Sequence, residues 1–201
     1  MRLLREYIRD LLTEAAKGPQ DLPDNWYVKF WDPEGTISVS IWKKLPDGRE
    51  TQIAELWADE TDIAQAPSNF PEHDLGPCSG AWQVVKAHAP HGWGPMLYDV
   101  AMEIVGSAGL TSDRGTVTQD AMGIWVYYDQ RGDVQAFQLD NPSNELTPEL
   151  QDNCMQNAAE HYVDEPEDWM KSPLSRRYVK SNTATIDALK ELGKWAEEEP
   201  E

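Results

Sequence analysis

Two glycines separated by one residue lie between an apolar run and a helical pattern in the middle of the chain. The apolar run covers residues 81–89, and Pro90-His91-Gly92-Trp93-Gly94-Pro95 follows it. Glycine lets a backbone approach a ligand closely, and the first amides of a helix point at an anion placed there. The amides of Gly92, Trp93 and Gly94 are therefore candidates for binding a phosphate group. The same residues also fit an ordinary strand-to-helix turn without a ligand.

This segment resembles the coenzyme A-binding core of the GCN5-related N-acetyltransferases. In that family the motif Gln/Arg-x-x-Gly-x-Gly/Ala lies between a long strand and a helix, and it holds the pyrophosphate of the cofactor. Here both glycines keep their spacing, but Ala89 stands where the family has a basic or amide residue. The resemblance implies an acetyltransferase-like fold and acetyl-CoA as the cofactor, bound through Gly92, Trp93 and Gly94.

The next motif of that family, Asn-x-x-Ala-x-x-x-Tyr, has a partial counterpart at residues 118–125. This segment keeps the alanine but has Thr118 and Trp125 at its ends, and Tyr127 and Tyr128 follow. In such an enzyme an amine attacks the thioester, and a tyrosine can protonate the leaving thiolate. The resemblance therefore implies Tyr128 as the catalytic acid, with Tyr127 as the second candidate.

Three further charged side chains are candidates for the same site. Arg114, in Asp113-Arg114-Gly115, either reaches an anion held by the glycines or belongs to a structural turn that caps the next helix. Glu55 and Glu103 are candidate bases for the amine. The histidines show no metal-ligand spacing on one element, so no metal site is predicted.

Composition restricts the partners of the protein. The net charge of −19 over 201 residues predicts repulsion from nucleic acid and from anionic membranes, and it suits a cationic amine substrate or a basic protein partner. The charged N-terminus does not resemble a signal peptide, and no apolar run reaches membrane length. Cys78 and Cys154 lack a metal or disulfide pattern, which predicts buried thiols in a reducing compartment. We therefore expect a cytoplasmic protein.

The N-terminus reads as an amphipathic helix that ends near Lys17-Gly18-Pro19. Its apolar positions recur at helical spacing; they are Leu3, Leu4, Tyr7, Ile8, Leu11, Leu12 and Ala15. This face either packs on the protein's own core or docks on another chain, in which case it would form an oligomer.

The remaining pattern predicts an α+β fold with a mixed, largely antiparallel sheet flanked by helices. The predicted strands are 26–31, 36–43, 52–57, 82–87 and 134–139, and the predicted helices are 96–105, 148–160 and 181–195. Residues 58–80 read as a loop, and the polar link 111–115 is too short for a further strand. We divide the chain into an N-terminal helix (1–18), an acetyltransferase-like core (24–140) and an acidic C-terminal extension (141–201).

Two classes of function follow. The first is an acetyltransferase-like protein that binds acetyl-CoA and acylates an amine. The second is a non-catalytic protein of the same fold, which the alanine at position 89 and the tryptophan at position 125 favour. The short acidic chain and its leading Met-Arg-Leu-Leu-Arg helix are similar to those of tailed-bacteriophage proteins, which implies a virion or assembly role, or residence in the cytoplasm of the host cell.

Overall fold

The computed structural model describes residues 16–32, 35–60, 78–114, 116–139 and 172–197. The strands are β1 (Trp26–Trp31), β2 (Thr36–Lys44), β3 (Glu50–Glu60), β4 (Trp82–His88), β5 (Leu110–Thr111), β6 (Val134–Gln138), β7 (Arg176–Lys180) and β8 (Trp195–Glu197). The helices are α1 (Gly94–Val105), α2 (Gln119–Tyr128) and α3 (Ala184–Glu191). Short 3-10 turns cover Pro19–Asp21, Cys78–Gly80, Gly106–Ala108 and Pro173–Ser175.

All eight strands belong to one sheet in the order β6-β7-β5-β4-β3-β2-β1-β8. The pairs β4–β5 and β1–β8 are parallel, and the other five pairs are antiparallel. The predicted α+β class with a mixed, largely antiparallel sheet is therefore confirmed. The predicted strand at 82–87 lies inside this sheet, between β3 and β5.

The meander β1–β2–β3 forms because apolar and polar residues alternate along its strands. In β2, Ile37, Val39 and Ile41 are buried in the core, while Ser38 and Ser40 point to the opposite face. Gly48, with a φ of 85°, allows the tight turn between β2 and β3. Helix α1 packs on β2, β3 and β7, and its contact face includes Leu97.

Glycine is required where α1 returns to the sheet. Gly109 has a φ of 76°, and a Cβ atom built on it would lie 2.9 Å from Val179 Cγ2 and 3.1 Å from the Tyr178 carbonyl oxygen. A larger residue would therefore push β5 away from β7. This close approach explains how the two-residue strand Leu110–Thr111 reaches the sheet, although we expected no strand at 111–115.

The C-terminal region differs most from expectation. Helix α3 ends at Glu191, and Gly193, with a φ of 65°, turns the chain so that Trp195 lies in β8 instead of on the predicted helix. Strand β7 inserts between β5 and β6, and β8 pairs with β1. Part of the region that we assigned to a C-terminal extension thus contributes two strands to the sheet. The predicted helix at 148–160 and residues 1–15 of the predicted N-terminal helix (1–18) lie outside the described residues, and residues 16–18 are not helical.

Cys78 is disulfide-bonded, so the prediction of a free buried thiol at this position is wrong. It is fully buried beside Ala81 and Leu139, immediately before β4. Cys154 lies outside the described residues. Two cysteines so far apart in sequence carry no pattern from which pairing can be deduced, because only the folded chain determines which thiols meet.

Candidate functional site

The parallel strands β4 and β5 form a fork. They pair only through Trp82–Leu110 and Gln83–Thr111, after which β4 continues to His88. On its other side β4 stays paired with β3 as far as His88. Among the residues that the structure describes, none pairs with the β5-facing edge of residues 84–88. Such an opening at the carboxyl ends of parallel strands is a common place for a ligand.

The open part of β4 faces solvent. The side chain of Val85 is 38% exposed, and residues 86–88 are exposed as well. The register of β4 against β3 shifts between Trp57 and Ala58, which produces a bulge at Val85. The backbone N–H and C=O groups along this edge are those that an added extended ligand would use.

The glycine turn lies at the end of this open edge. Gly92 has a φ of 86°, a left-handed conformation that favours glycine. The side chain of Trp93 is buried in the core against Trp26, and its amide donates to the Pro90 carbonyl oxygen at 3.1 Å. The turn therefore uses one of the three predicted amides itself. Gly94 begins α1, where the first amides have no acceptor within the helix.

The backbone of Gly94 does not itself explain why a glycine stands there. Its φ is not positive, and a Cβ atom at this position would lie 3.4 Å from Ile124 Cδ1, which is ordinary van der Waals contact. Close approach of a ligand remains a physical reason for glycine at this position.

Lys17 adds a cation to the glycine turn. Its backbone amide donates to the Gly92 carbonyl oxygen at 2.9 Å, and its ammonium nitrogen lies 5.0 Å from the centre of the Trp93 ring. No sequence pattern indicates this contact, because Lys17 belongs to the segment that precedes β1. It is a basic residue beside the turn, whereas Ala89 stands at the position where the resemblance implies one.

Tyr128 is the last residue of α2, and its side chain packs against the beginning of α1. Its side chain is 1% exposed, and its hydroxyl lies 2.7 Å from the Pro95 carbonyl oxygen and 3.1 Å from Asp99 Oδ1. Burial raises the pKa of Tyr128 well above its usual range, so the hydroxyl holds its proton firmly. These contacts give Tyr128 a role in anchoring α2 to α1 beside the glycine turn. Its catalytic role stays a prediction.

Tyr127 is more accessible than Tyr128. Its ring is half-buried, and the guanidinium carbon of Arg131 lies 5.4 Å from the ring centre. Burial also raises the pKa of Tyr127. Its assignment as the second catalytic candidate stays a prediction.

Arg114 is buried at the end of β5. Its guanidinium donates to Thr111 Oγ1 at 3.0 Å, to the Ser112 carbonyl and hydroxyl oxygens, and to the Leu174 carbonyl oxygen at 2.8 Å. Burial lowers its pKa to about 9, whereas the neighbouring Asp113 carboxylate acts in the opposite direction. These contacts favour the structural interpretation of Arg114, because they hold β5 to the 3-10 turn at 173–175. Its assignment to an anion site stays a prediction.

One interpretation of Asp113-Arg114-Gly115 predicted that this turn caps the next helix, α2. The structure shows a different cap. Thr118 is the N-cap of α2 and accepts a hydrogen bond from the Ala121 amide at 3.2 Å. Asp113 instead accepts from the Thr116 amide within the preceding turn, at 3.1 Å.

Both candidate bases are held by other groups. Glu55 accepts from Lys86 Nζ at 2.6 Å and from Trp57 Nε1 at 3.0 Å, and these hydrogen bonds lower its pKa. Glu103 is buried and paired with Lys180. A carboxylate with a lowered pKa is a weak base, so Glu55 is poorly suited to deprotonating an amine. The Glu103 carboxylate is buried against Lys180, away from solvent.

No family model, curated protein or solved structure matches the chain. The described part of the chain contains no helix that is both long and apolar enough to cross a membrane. The functional proposal therefore rests on the geometry of the fork, the glycine turn and Lys17.

Proposed function

We propose that the protein is an acetyltransferase-like protein that binds coenzyme A or acetyl-CoA in the fork between β4 and β5. The observation that carries this proposal is the continuity of the site. The open edge of β4 runs from the fork, after Gln83, directly to Gly92 and the start of α1. Such a path suits a ligand with an extended arm at one end and an anionic group at the other.

Coenzyme A has that chemistry. Its pantetheine arm contains two amides, which can pair, as an added strand would, with those N–H and C=O groups of residues 84–88 that point away from β3. Five residues of a strand span about 13 Å between the first and last Cα atoms, so the edge offers several successive hydrogen-bonding groups. The pyrophosphate would then lie at the first turn of α1, near Gly94.

Lys17 reduces the electrostatic repulsion between this acidic protein and an anionic cofactor. A chain with a net charge of −19 repels a polyanionic cofactor at long range. The ammonium group of Lys17 beside Trp93 offsets this repulsion locally, at the end of the path where the pyrophosphate would lie. The acidic surface elsewhere supports a cationic amine as the acyl acceptor.

In this arrangement the thioester lies near the fork, at Val84 and Val85. Tyr128 contacts Pro95 at the opposite, phosphate-binding end of the path. The geometry therefore supports cofactor binding more strongly than it supports Tyr128 as the proton donor to the thiolate. The acyl transfer itself would consist of attack by the neutral amine on the thioester carbon, loss of the amine proton and departure of the thiolate.

The test is a titration of the full chain with coenzyme A, acetyl-CoA and inorganic pyrophosphate. Binding is measured by calorimetry and by the shift in thermal unfolding. A ligand at a hundredfold excess over its Kd stabilises a protein by about 2.7 kcal/mol. We expect both coenzyme A species to bind, and pyrophosphate to bind more weakly because it lacks the arm. Gly94→Val should weaken binding, whereas Gly94→Ala, which adds only a methyl group, reports whether the fold tolerates a side chain there. Absence of binding by either coenzyme A species would refute the proposal.

The second candidate is a non-catalytic virion or assembly protein on the same fold. The structural contacts of Tyr128 and Arg114, and the use of the Trp93 amide within its own turn, favour this alternative. Cofactor binding without any acylation of amines such as polyamines or lysine peptides would support it over an enzyme.

A further inference from the structure

The two edges of the sheet are protected to different degrees. Strand β8, at one edge, has only three residues, Trp195–Glu197, and ends on a glutamate. Short length and charge are usual means of preventing an edge strand from pairing with another chain. Strand β6, at the other edge, has five residues, and no described strand pairs with its outer side.

Strand β6 lacks the usual protection. Its sequence, Val134-Gln135-Ala136-Phe137-Gln138, contains no charged residue and no proline, and its register with β7 runs without a bulge. Acidic residues number 36 of 201 in the chain, and none of them lies in this strand. Gln135 and Ala136 are exposed.

The residues behind β6 also reduce the acidity of this edge. Strand β7 carries Arg177 opposite Phe137, and the Arg177 guanidinium carbon lies 5.3 Å from the centre of the Phe137 ring. The neighbouring Arg176 is ion-paired with Asp129. Two copies of a strongly acidic chain repel each other over most of their surfaces. The β6 edge is a place where they can approach without bringing like charges together.

We propose that β6 is an interface between two copies of this chain, which pair antiparallel through their β6 strands to form one continuous sheet. Pairing all five residues places Ala136 opposite Ala136 of the second copy, on the two-fold axis. Val134 then faces Gln138, and Gln135 faces Phe137. This strand is self-complementary, as a two-fold interface requires, and no like charges oppose each other.

The test is the oligomeric state of the full chain, measured by light scattering over a range of concentrations. We expect a dimer whose fraction rises with concentration. Ala136→Lys should give a monomer, because directly opposed residues have Cβ atoms about 4.5–5.5 Å apart and two lysines repel at that distance. The melting temperature, extrapolated to low concentration, should stay unchanged because Ala136 is exposed. Ala184→Lys, the same substitution at an exposed alanine in the first turn of α3, is the matched control and should leave the dimer intact.

A second variant tests the register. Ala136→Cys should form a covalent dimer under mild oxidation, because opposed Cα atoms in an antiparallel pair lie within the range that a disulfide spans. Ala196→Cys should not form one. A parent chain that stays monomeric at its highest soluble concentration would overturn the proposal, and so would a dimer that persists in Ala136→Lys. The test is independent of cofactor binding.

Discussion

The ammonium group of Lys180 lies 2.6 Å from the carboxylate of Glu103, and both side chains are buried. The same carboxylate accepts hydrogen bonds from the Thr185 amide at 2.9 Å and the Ile186 amide at 2.8 Å, in the first turn of α3. Glu103 therefore connects α1 to β7 and supplies negative charge at a helix N-terminus, where it is favourable. This residue, a candidate base from the sequence, thus has a structural role, and its role as a base stays a prediction.

Lys180→Met should strongly destabilise the protein because it leaves the Glu103 carboxylate buried without its cation. Loss of one partner of a buried ion pair costs about 3–5 kcal/mol. The double variant Lys180→Met/Glu103→Gln should be less destabilised, since no buried charge remains and the amide oxygen still accepts from one of the two backbone amides. Urea unfolding of both variants measures the difference. A single variant within about 1 kcal/mol of the parent, comparable to an ordinary hydrogen bond, would contradict this account.

Lys17→Gln should weaken the binding of coenzyme A because it removes the cation beside the glycine turn. Loss of one charge-assisted contact of about 1.5 kcal/mol corresponds to a roughly tenfold increase in Kd. The salt dependence of Kd should fall at the same time, and Lys17→Arg should retain binding. Lys190→Gln is the control, because Lys190 also lies over a tryptophan, at 5.7 Å from the Trp195 ring centre, but on α3. Equal Kd values for the parent and Lys17→Gln would show that Lys17 takes no part.

Tyr128→Phe distinguishes the two roles of Tyr128. If the hydroxyl only anchors α2 to the Pro95 carbonyl, the variant should lose about 0.5–1.5 kcal/mol of unfolding free energy. In that case any acyl transfer should continue at an undiminished kcat. We expect this result because the hydroxyl contacts Pro95, at the end of the site where we propose that the pyrophosphate lies. A large fall in kcat with little change in stability would instead identify Tyr128 as the catalytic acid.

Reduction of the disulfide at Cys78 should lower the stability of the protein. Removal of a native disulfide typically costs about 2–5 kcal/mol. Thermal unfolding with and without a reducing agent measures the change, and Cys78→Ser should show the same loss without a reductant. Alkylation of the unreduced, denatured chain, followed by mass spectrometry, provides the check: a labelled Cys78 would show that no bond forms there.

Stability should fall at alkaline pH because burial raises the pKa values of several tyrosines. Burial is the main cause that raises the pKa of Tyr27 to about 12, and it raises those of Tyr128 and Tyr178 well above their usual range. A free tyrosine titrates near pH 10, so above about that pH the unfolded chain loses protons that the folded chain keeps. The stabilisation is thus complete below about pH 10 and declines as pH rises beyond it. Unfolding free energies measured across this window, together with tyrosinate absorbance, test the prediction; early titration of every tyrosine in the folded chain would contradict it.

The sequence by itself determined the elements that carry a strong period or a clear turn. Alternation in Ile37, Val39 and Ile41, the apolar run before Gly92 and the helical pattern after Gly94 predicted the meander, β4 and α1. These signals are local, because period-two and period-3.6 patterns arise within one element. The class of the fold followed from their order.

Only the tertiary structure decided which distant residues meet. The two-residue strand β5 has no readable period, and it exists because Gly109 lets it approach β7. The contact of Lys17 with Gly92, the burial of Arg114 and Tyr128, and the pair formed by Glu103 and Lys180 each join separate segments. Residue type and spacing along the chain do not encode such contacts, since burial and pairing depend on how the sheet and helices pack. That packing gave several candidate site residues structural contacts that the sequence did not indicate, and it produced the fork.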